Sequence, residues 1–367
     1  MRRLSKLVAT AFIGLFFASS ASAIDLTVVS WGGAYSASQI KAYHEPWMEM
    51  NPDVTFIYDE SAPEGVAKLR AMSEAGNLTW DLVDAIAADV IRLCDEGLAE
   101  VVDVDEILAP APDGTPASED FGDLLVSDCL IPQIVYSTVV AYRNDVNEWE
   151  GRLPEDICAL FDLENFPGKR GLEKRPINNM EWALLCAGVP KDEVYEVLAT
   201  DEGQQMALEK LGTIKDETIW WSSAAEPRQQ MADGEIKIGS SYNGRWFDLI
   251  NVDGAPVEIL WDAQVFDIDG WIIPTGLPAE RREAVIEFLH FATDTQRLAD
   301  QAKFISYGPA RMSSAPLVGM HAELGIEMGP HLPTDPNNSK NVFVYNFDFW
   351  ADYRDDIDVK FQAWLAN

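Results

Sequence analysis

Histidine is nearly absent from this 367-residue chain. His44, His290, His321 and His331 are scattered, without the spacing of zinc and related sites. Neither a metal nor a cofactor is expected. Basic residues are also scarce: 27 Lys and Arg stand against 61 Asp and Glu, for a formal charge of −34. Nucleic acid needs a basic footprint, so it is excluded as a partner. The Gly-x-Ser-x-Gly elbow of serine hydrolases is missing. There is no internal repeat and no low-complexity tract. Past the N-terminus, no apolar run is long enough to span a bilayer. Cysteine is limited to Cys94, Cys129, Cys158 and Cys186. None lies in a Cys-x-x-Cys pair, which argues against redox and zinc chemistry.

What is present begins with a leader. Arg2, Arg3 and Lys6 are basic, Leu7 to Ala18 is apolar, and Ala21-Ser22-Ala23 offers a small-x-small cleavage site. This is the pattern of an export signal over residues 1–23, with a soluble mature chain beginning near Ile24. No cysteine follows the cleavage site to carry a lipid anchor. Removing three positive charges from −34 leaves −37 on the mature chain. Such a charge favours solubility and attracts cations. Behind an export signal, an even cysteine count predicts disulfides. Of the possible pairings, Cys94–Cys129 and Cys158–Cys186 are favoured, because each stays within one half of the chain.

The length suggests about two domains. Asp25 to Trp31 reads as a first strand, ending in Gly32-Gly33, where a backbone can turn sharply or approach a ligand. A helix over 36–50, a strand over 54–58, a helix over 64–75, a strand over 81–87 and a helix over 88–96 follow. This rhythm predicts an α/β layer with a mostly parallel sheet, which binds ligands at the carboxyl ends of its strands. Trp31 and Asp84 lie near such ends. Asp84 fits a ligand contact, a helix cap or a solvated acid. A loop over 109–120 precedes a strong strand, Ile134 to Tyr142. Asn178 to Ala187 is a helix in which Glu181 has capping-box spacing from Asn178. Further on come helices at 203–212 and 226–232, a strand at 236–242 running into Asn243-Gly244, and helices at 279–292 and 295–301. The aromatic, acidic tail 346–366 reads as a packing helix.

Trp261 to Thr275 is the most informative stretch. Read as a strand, it puts Asp267, Asp269 and Trp271 on one face. Charged groups are rarely buried unpaired, so this face is either solvated or built for a cation. Trp220, Trp221 and Trp271 are open to core and site roles alike. A glycoside hydrolase would need carboxylates flanking a sugar from two sides. Asp267 and Asp269 lie side by side, about 7 Å apart at strand rise.

Together these motifs resemble the periplasmic solute-binding proteins of ABC transporters, in the spermidine/putrescine branch. The resemblance covers the mature chain. It rests on Ser30-Trp-Gly-Gly33, Asp81-Leu-Val-Asp84, Asn165-Phe-Pro-Gly-Lys-Arg-Gly171, Ser241-Tyr-Asn-Gly244, Phe266-Asp-Ile-Asp-Gly-Trp-Ile-Ile-Pro274 and Tyr307-Gly-Pro309. It implies a two-lobed, type II-like binding protein of mixed, mostly parallel sheets flanked by helices and joined by hinge strands. Residues 24–136 plus 272–311 would form lobe 1, and 137–271 plus 312–367 lobe 2. It implies a periplasmic monomer without catalysis, which delivers a polyamine or related organic cation to an inner-membrane ABC permease. Another small solute, an amino acid, a quaternary amine or a sugar, is the alternative cargo. The resemblance assigns Trp31, Tyr242 and Tyr307 to aromatic walls, and Asp269 and Glu181 to the two ends of the ligand. The expected second acid near Glu181 is here Asn178, and an aromatic expected before the hinge acid is here Asp267. Near the candidate pocket the closest basic residues are Arg245 and Arg175, a scarcity that speaks against an anion.

Overall fold

The computed structural model describes residues 23–223 and 225–367. Apart from Ala23, the expected leader therefore lies outside the described residues. Nine strands among them form one sheet. They are β1 (Ile24–Val29), β2 (Val54–Asp59), β3 (Leu82–Ile86), β4 (Ile131–Arg143), β5 (Arg170–Glu173), β6 (Thr218–Trp221), β7 (Ile238–Tyr242), β8 (Val257–Ile272) and β9 (Gly308–Pro309). The order is β2-β1-β3-β8-β4-β7-β5-β6, with β9 pairing β4. At one end β1 pairs parallel with β2 and β3, and at the other β5 pairs parallel with β6 and β7. The two parallel groups are separated by β4 and β8, which run antiparallel to each other and to their neighbours. This is the mixed α/β sheet expected.

Each end has its own apolar packing. Leu26, Val28, Phe56, Leu82, Trp271 and Phe288 cluster around the β1–β3 end. Leu172, Trp182, Leu211, Ile238, Trp350 and Phe361 cluster around the β5–β7 end. The long β4 and β8 connect the two. Gly270 of β8 is required there: a Cβ at this position would sit 2.3 Å from the Ile131 carbonyl oxygen of β4. Both favoured disulfides form, with Cα separations of 5.8 Å for Cys94–Cys129 and 5.4 Å for Cys158–Cys186.

Several local expectations change. The helix expected over 36–50 is α-helical at Gly33–Gln39 and Glu45–Met50, with a π-helical turn at Ile40–His44 between. Pro46 explains this, since it has no N–H to continue the regular ladder. The 109–120 loop already enters a short helix, Ala117–Phe121. Asn178 does not cap the Asn179–Cys186 helix by its side chain; it takes φ 70°, off the extended geometry a cap needs.

Candidate functional site

The central strands bring their polar faces together where the two ends of the sheet meet. Cross-strand register places Tyr136 of β4 opposite Asp267 of β8, and Tyr136 donates to Asp267 Oδ2 at 2.8 Å. Two residues along the same face, Asp269 accepts from Trp31 Nε1 at 2.6 Å, and Tyr35 Oη lies 2.7 Å from its Oδ1. Trp31 follows β1, and Tyr35 is in the first turn of the helix beyond Gly32-Gly33. Gly32 and Gly33 hold φ of 78° and 58°, a region glycine enters without strain, which lets that helix start tightly against the sheet.

Below Asp269 lies a buried polar chain. Tyr35 Oη is 2.6 Å from Gln133 Oε1, which also accepts from Gln39 Nε2 at 3.1 Å. Gln39 Nε2 in turn lies 3.0 and 2.9 Å from the two Asp84 oxygens. Tyr35 has one proton but faces two acceptors. Both contacts are satisfied when Asp269 carries a proton on Oδ1. Electrostatics agree. Burial pushes Asp269 up to about 7, despite the bonds from Tyr35 and Trp31. Burial raises Asp267 to about 6, and burial together with the Asp269 charge raises Asp84 well above the carboxylate range.

An aromatic box closes over these acids. Tyr136 sits edge-on to Tyr242 at 5.6 Å and tilted to Tyr307 at 5.9 Å, while Tyr307 is 6.1 Å from Tyr35. Asn243 is the bracket behind the box. Its Oδ1 accepts from the Ser137 N–H at 3.1 Å and its Nδ2 donates to the Ser306 carbonyl at 2.5 Å.

Two arginines belong to the site, which corrects the expectation from the sequence. Arg175 Nε lies 2.6 Å from Glu173, and Arg175 helps hold Asp267 ionised. Arg245 follows β7 and approaches Gly33 from the opposite side, where a Cβ would sit 3.8 Å from its Nη2. The Tyr242 hydroxyl feels Arg175, Asp267 and Arg245 together, although burial chiefly pushes it up to about 12. Among the described residues Arg245 Nε and Gln133 Nε2 are buried donors without an acceptor.

Trp31, Gly33, Asp84, Tyr242, Asn243, Asp267, Asp269 and Tyr307 thus gather at one place. Gly32 borders it, and a Cβ there would meet the Glu60 carboxylate at 3.0 Å. Three other residues proposed from the sequence sit in packed surroundings. Trp271 is fully buried between Tyr43 and Phe288, because the face it shares with Asp269 is there covered by the 279–292 helix. Trp221 is buried at the end of β6, across from Glu173. Glu181 is fully buried and accepts from Trp350 Nε1 at 2.7 Å and Tyr195 Oη at 3.3 Å; burial raises it to about 7. Tyr35, Gln39, Gln133 and Tyr136 are additions to the residues read from the sequence, and Arg175 and Arg245, read there only as the nearest bases, take part in the site. Helix register after Gly33 was the available signal for Tyr35 and Gln39 and alternation along β4 for Tyr136, whereas Gln133 sits at a register shift between Pro132 and Ile134 that alternation does not foresee.

A two-ended α/β sheet with a polar, aromatic-walled site at its central strands is an architecture found in two-lobed solute-binding proteins. The model of the family described as bacterial extracellular solute-binding protein matches residues 42–334, and the chain belongs to this family. It is the substrate-binding component of an ABC transporter. A Gamma-aminobutyric acid-binding protein of Pseudomonas aeruginosa is 33% identical over 356 residues, covering 96% of this chain and 95% of the relative. The solved structure of the Atu4243-GABA receptor is 30% identical, with a TM-score of 0.78, covering 94% of this chain and 98% of the other. The spermidine/putrescine substrate-binding protein PotD of Streptococcus pneumoniae shares the fold, at 15% identity and a TM-score of 0.69, over 93% and 99% of the two chains. No described helix is long and apolar enough to cross a membrane.

Proposed function

We propose that the solute is a small zwitterion of the γ-aminobutyrate type, an ω-amino acid, rather than a polyamine. The observation that carries this is charge of both signs within one aromatic box. Asp267 and Asp269 suit an ammonium group, and Arg245, with no acidic partner among the described ion pairs, suits a carboxylate. A diamine would leave Arg245 without an acceptor, and a buried unpaired donor is costly. Glu181, the acid that the polyamine resemblance assigned to a second ammonium, is already engaged by Trp350 and Tyr195. The relatives that bind γ-aminobutyrate support the same choice. The amino-acid alternative therefore displaces the polyamine reading.

The chain works as a two-lobed trap. We take the lobes as residues 24–136 plus 272–311 and 137–271 plus 312–367, and we place the pivot at the Tyr136–Asp267 step, where β4 and β8 pass between the two ends of the sheet. Closure buries the solute against the hinge acids and presents a closed form to the permease. Export to the periplasm through residues 1–23 completes the reading.

A thermal-shift series tests the ligand class. γ-Aminobutyrate raises the melting temperature of the wild type. Asp269→Asn and Arg245→Met each abolish the shift while leaving the unliganded melting temperature within a few degrees. Stabilisation of both variants equal to wild type overturns the assignment.

A further inference from the structure

We propose that two ion pairs between the Ala87–Asp95 and Phe347–Ala366 helices form a latch that holds the cleft closed over its solute. The proposal rests on the reading of the chain as a closing solute-binding protein and assigns residues to the closed state.

Arg354 Nη1 lies 2.5 Å from Asp89 Oδ1, and Arg92 Nη2 lies 3.1 Å from Asp355 Oδ2. Each helix supplies one acid and one base, so the two pairs are reciprocal and fit one register. The helices belong to opposite ends of the sheet. Ala87–Asp95 begins directly after β3, whose Asp84 lies under the ligand acids. Phe347–Ala366 is sunk through Trp350, Ile357 and Phe361 into the cluster of Leu172, Trp182 and Leu211. The contact therefore crosses the boundary that must open for a solute to enter.

The two pairs are unequal. Asp89 and Arg354 side chains are 16% and 25% exposed, whereas Asp355 is 77% exposed. Solvent screens the outer pair, so the inner one carries most of the effect. Asp89 lies in the first turn of the helix that leaves β3. The inner pair can form only while the two helices meet, so it holds the closed form, and breaking it speeds opening and release.

The test is the release rate of γ-aminobutyrate by stopped-flow displacement. Asp89→Asn and Arg354→Gln each raise koff about tenfold, and the double variant about the same, while kon stays within about twofold. Arg92→Gln changes koff less than about threefold. The unliganded melting temperatures stay unchanged. An unchanged koff in Asp89→Asn and Arg354→Gln overturns the latch, as does a lower unliganded melting temperature without faster release, which would mark the pair as a helix anchor. If the wild type does not bind γ-aminobutyrate, the ligand assignment fails separately. Small-angle scattering of unliganded protein then decides the latch: a larger radius for Arg354→Gln than for wild type supports it, and equal radii overturn it.

Discussion

Lowering the pH from about 8 to about 6 weakens binding of an ammonium-bearing solute about tenfold. The reason lies in Asp269. Burial pushes its carboxyl up to about 7, and the Tyr35 hydroxyl, held between Gln133 and Asp269, fits a protonated acid. An ammonium group needs the carboxylate, so the proton must leave as the ligand enters. With a midpoint near 7, the ionised fraction drops from about nine-tenths to about one-tenth over those two pH units, a factor of ten or about 1.4 kcal/mol. Unliganded stability moves the other way. The native carboxyl keeps a proton that the unfolded chain releases near its ordinary value of 3.8. The folded state is therefore favoured at low pH by this group and loses up to about 4 kcal/mol as pH rises toward 7. Isothermal titration in two buffers of different ionisation enthalpy counts the released protons. The count approaches one at pH 6 and falls to about one-tenth at pH 8. A dissociation constant that stays flat from pH 8 to 6, with no proton release, would refute the reasoning.

Two further perturbations probe the frame that holds the site. Gly270→Ala places a Cβ 2.3 Å from the Ile131 carbonyl and 2.8 Å from Leu130; it lowers stability by about 2–3 kcal/mol in urea denaturation and weakens binding, because β4 and β8 must separate. His44 is buried among Phe56, Tyr58 and Phe288 with neither ring nitrogen partnered, and burial lowers its pKa from 6.5 to about 3. Its contribution is complete above 6.5 and is lost as pH falls toward 3, by as much as about 4–5 kcal/mol. Urea midpoints for wild type and His44→Phe therefore converge on a common acid slope only if His44 is not the source of the acid sensitivity.

Much of this arrangement was legible in local pattern. Alternation in Val257–Ile272 placed Asp267 and Asp269 on one face, and that face does meet Trp31. The cysteine pairs followed from their position in the halves of the chain. Most helices and strands fall within a few residues of expectation, because apolar periodicity reports which face is buried. What stayed hidden depends on contacts far apart in sequence. Tyr136 and Asp267 meet only because β4 and β8 pair in register, 131 residues apart. Arg245 reads as one of the two bases nearest the pocket, but its approach to Gly33 is made across the sheet, not along the chain, so its place in the site stayed hidden. Trp271 shares the strand face of Asp269, and alternation carries no information on where along that face the cleft ends and the core begins. Glu181 had the spacing of a capping box, yet Asn178 adopts a left-handed backbone and the carboxylate turns instead to Trp350.

The central claim is that one site holds both charges of a zwitterion. Calorimetric titration of the wild type at pH 8 with γ-aminobutyrate and, separately, with putrescine tests it most directly. The two ligands share a four-atom chain and differ in the group at one end. The account predicts binding of γ-aminobutyrate at least about a hundredfold tighter, the cost of leaving the charged Arg245 donor without an acceptor being about 3 kcal/mol. Putrescine binding as tightly as γ-aminobutyrate would contradict it.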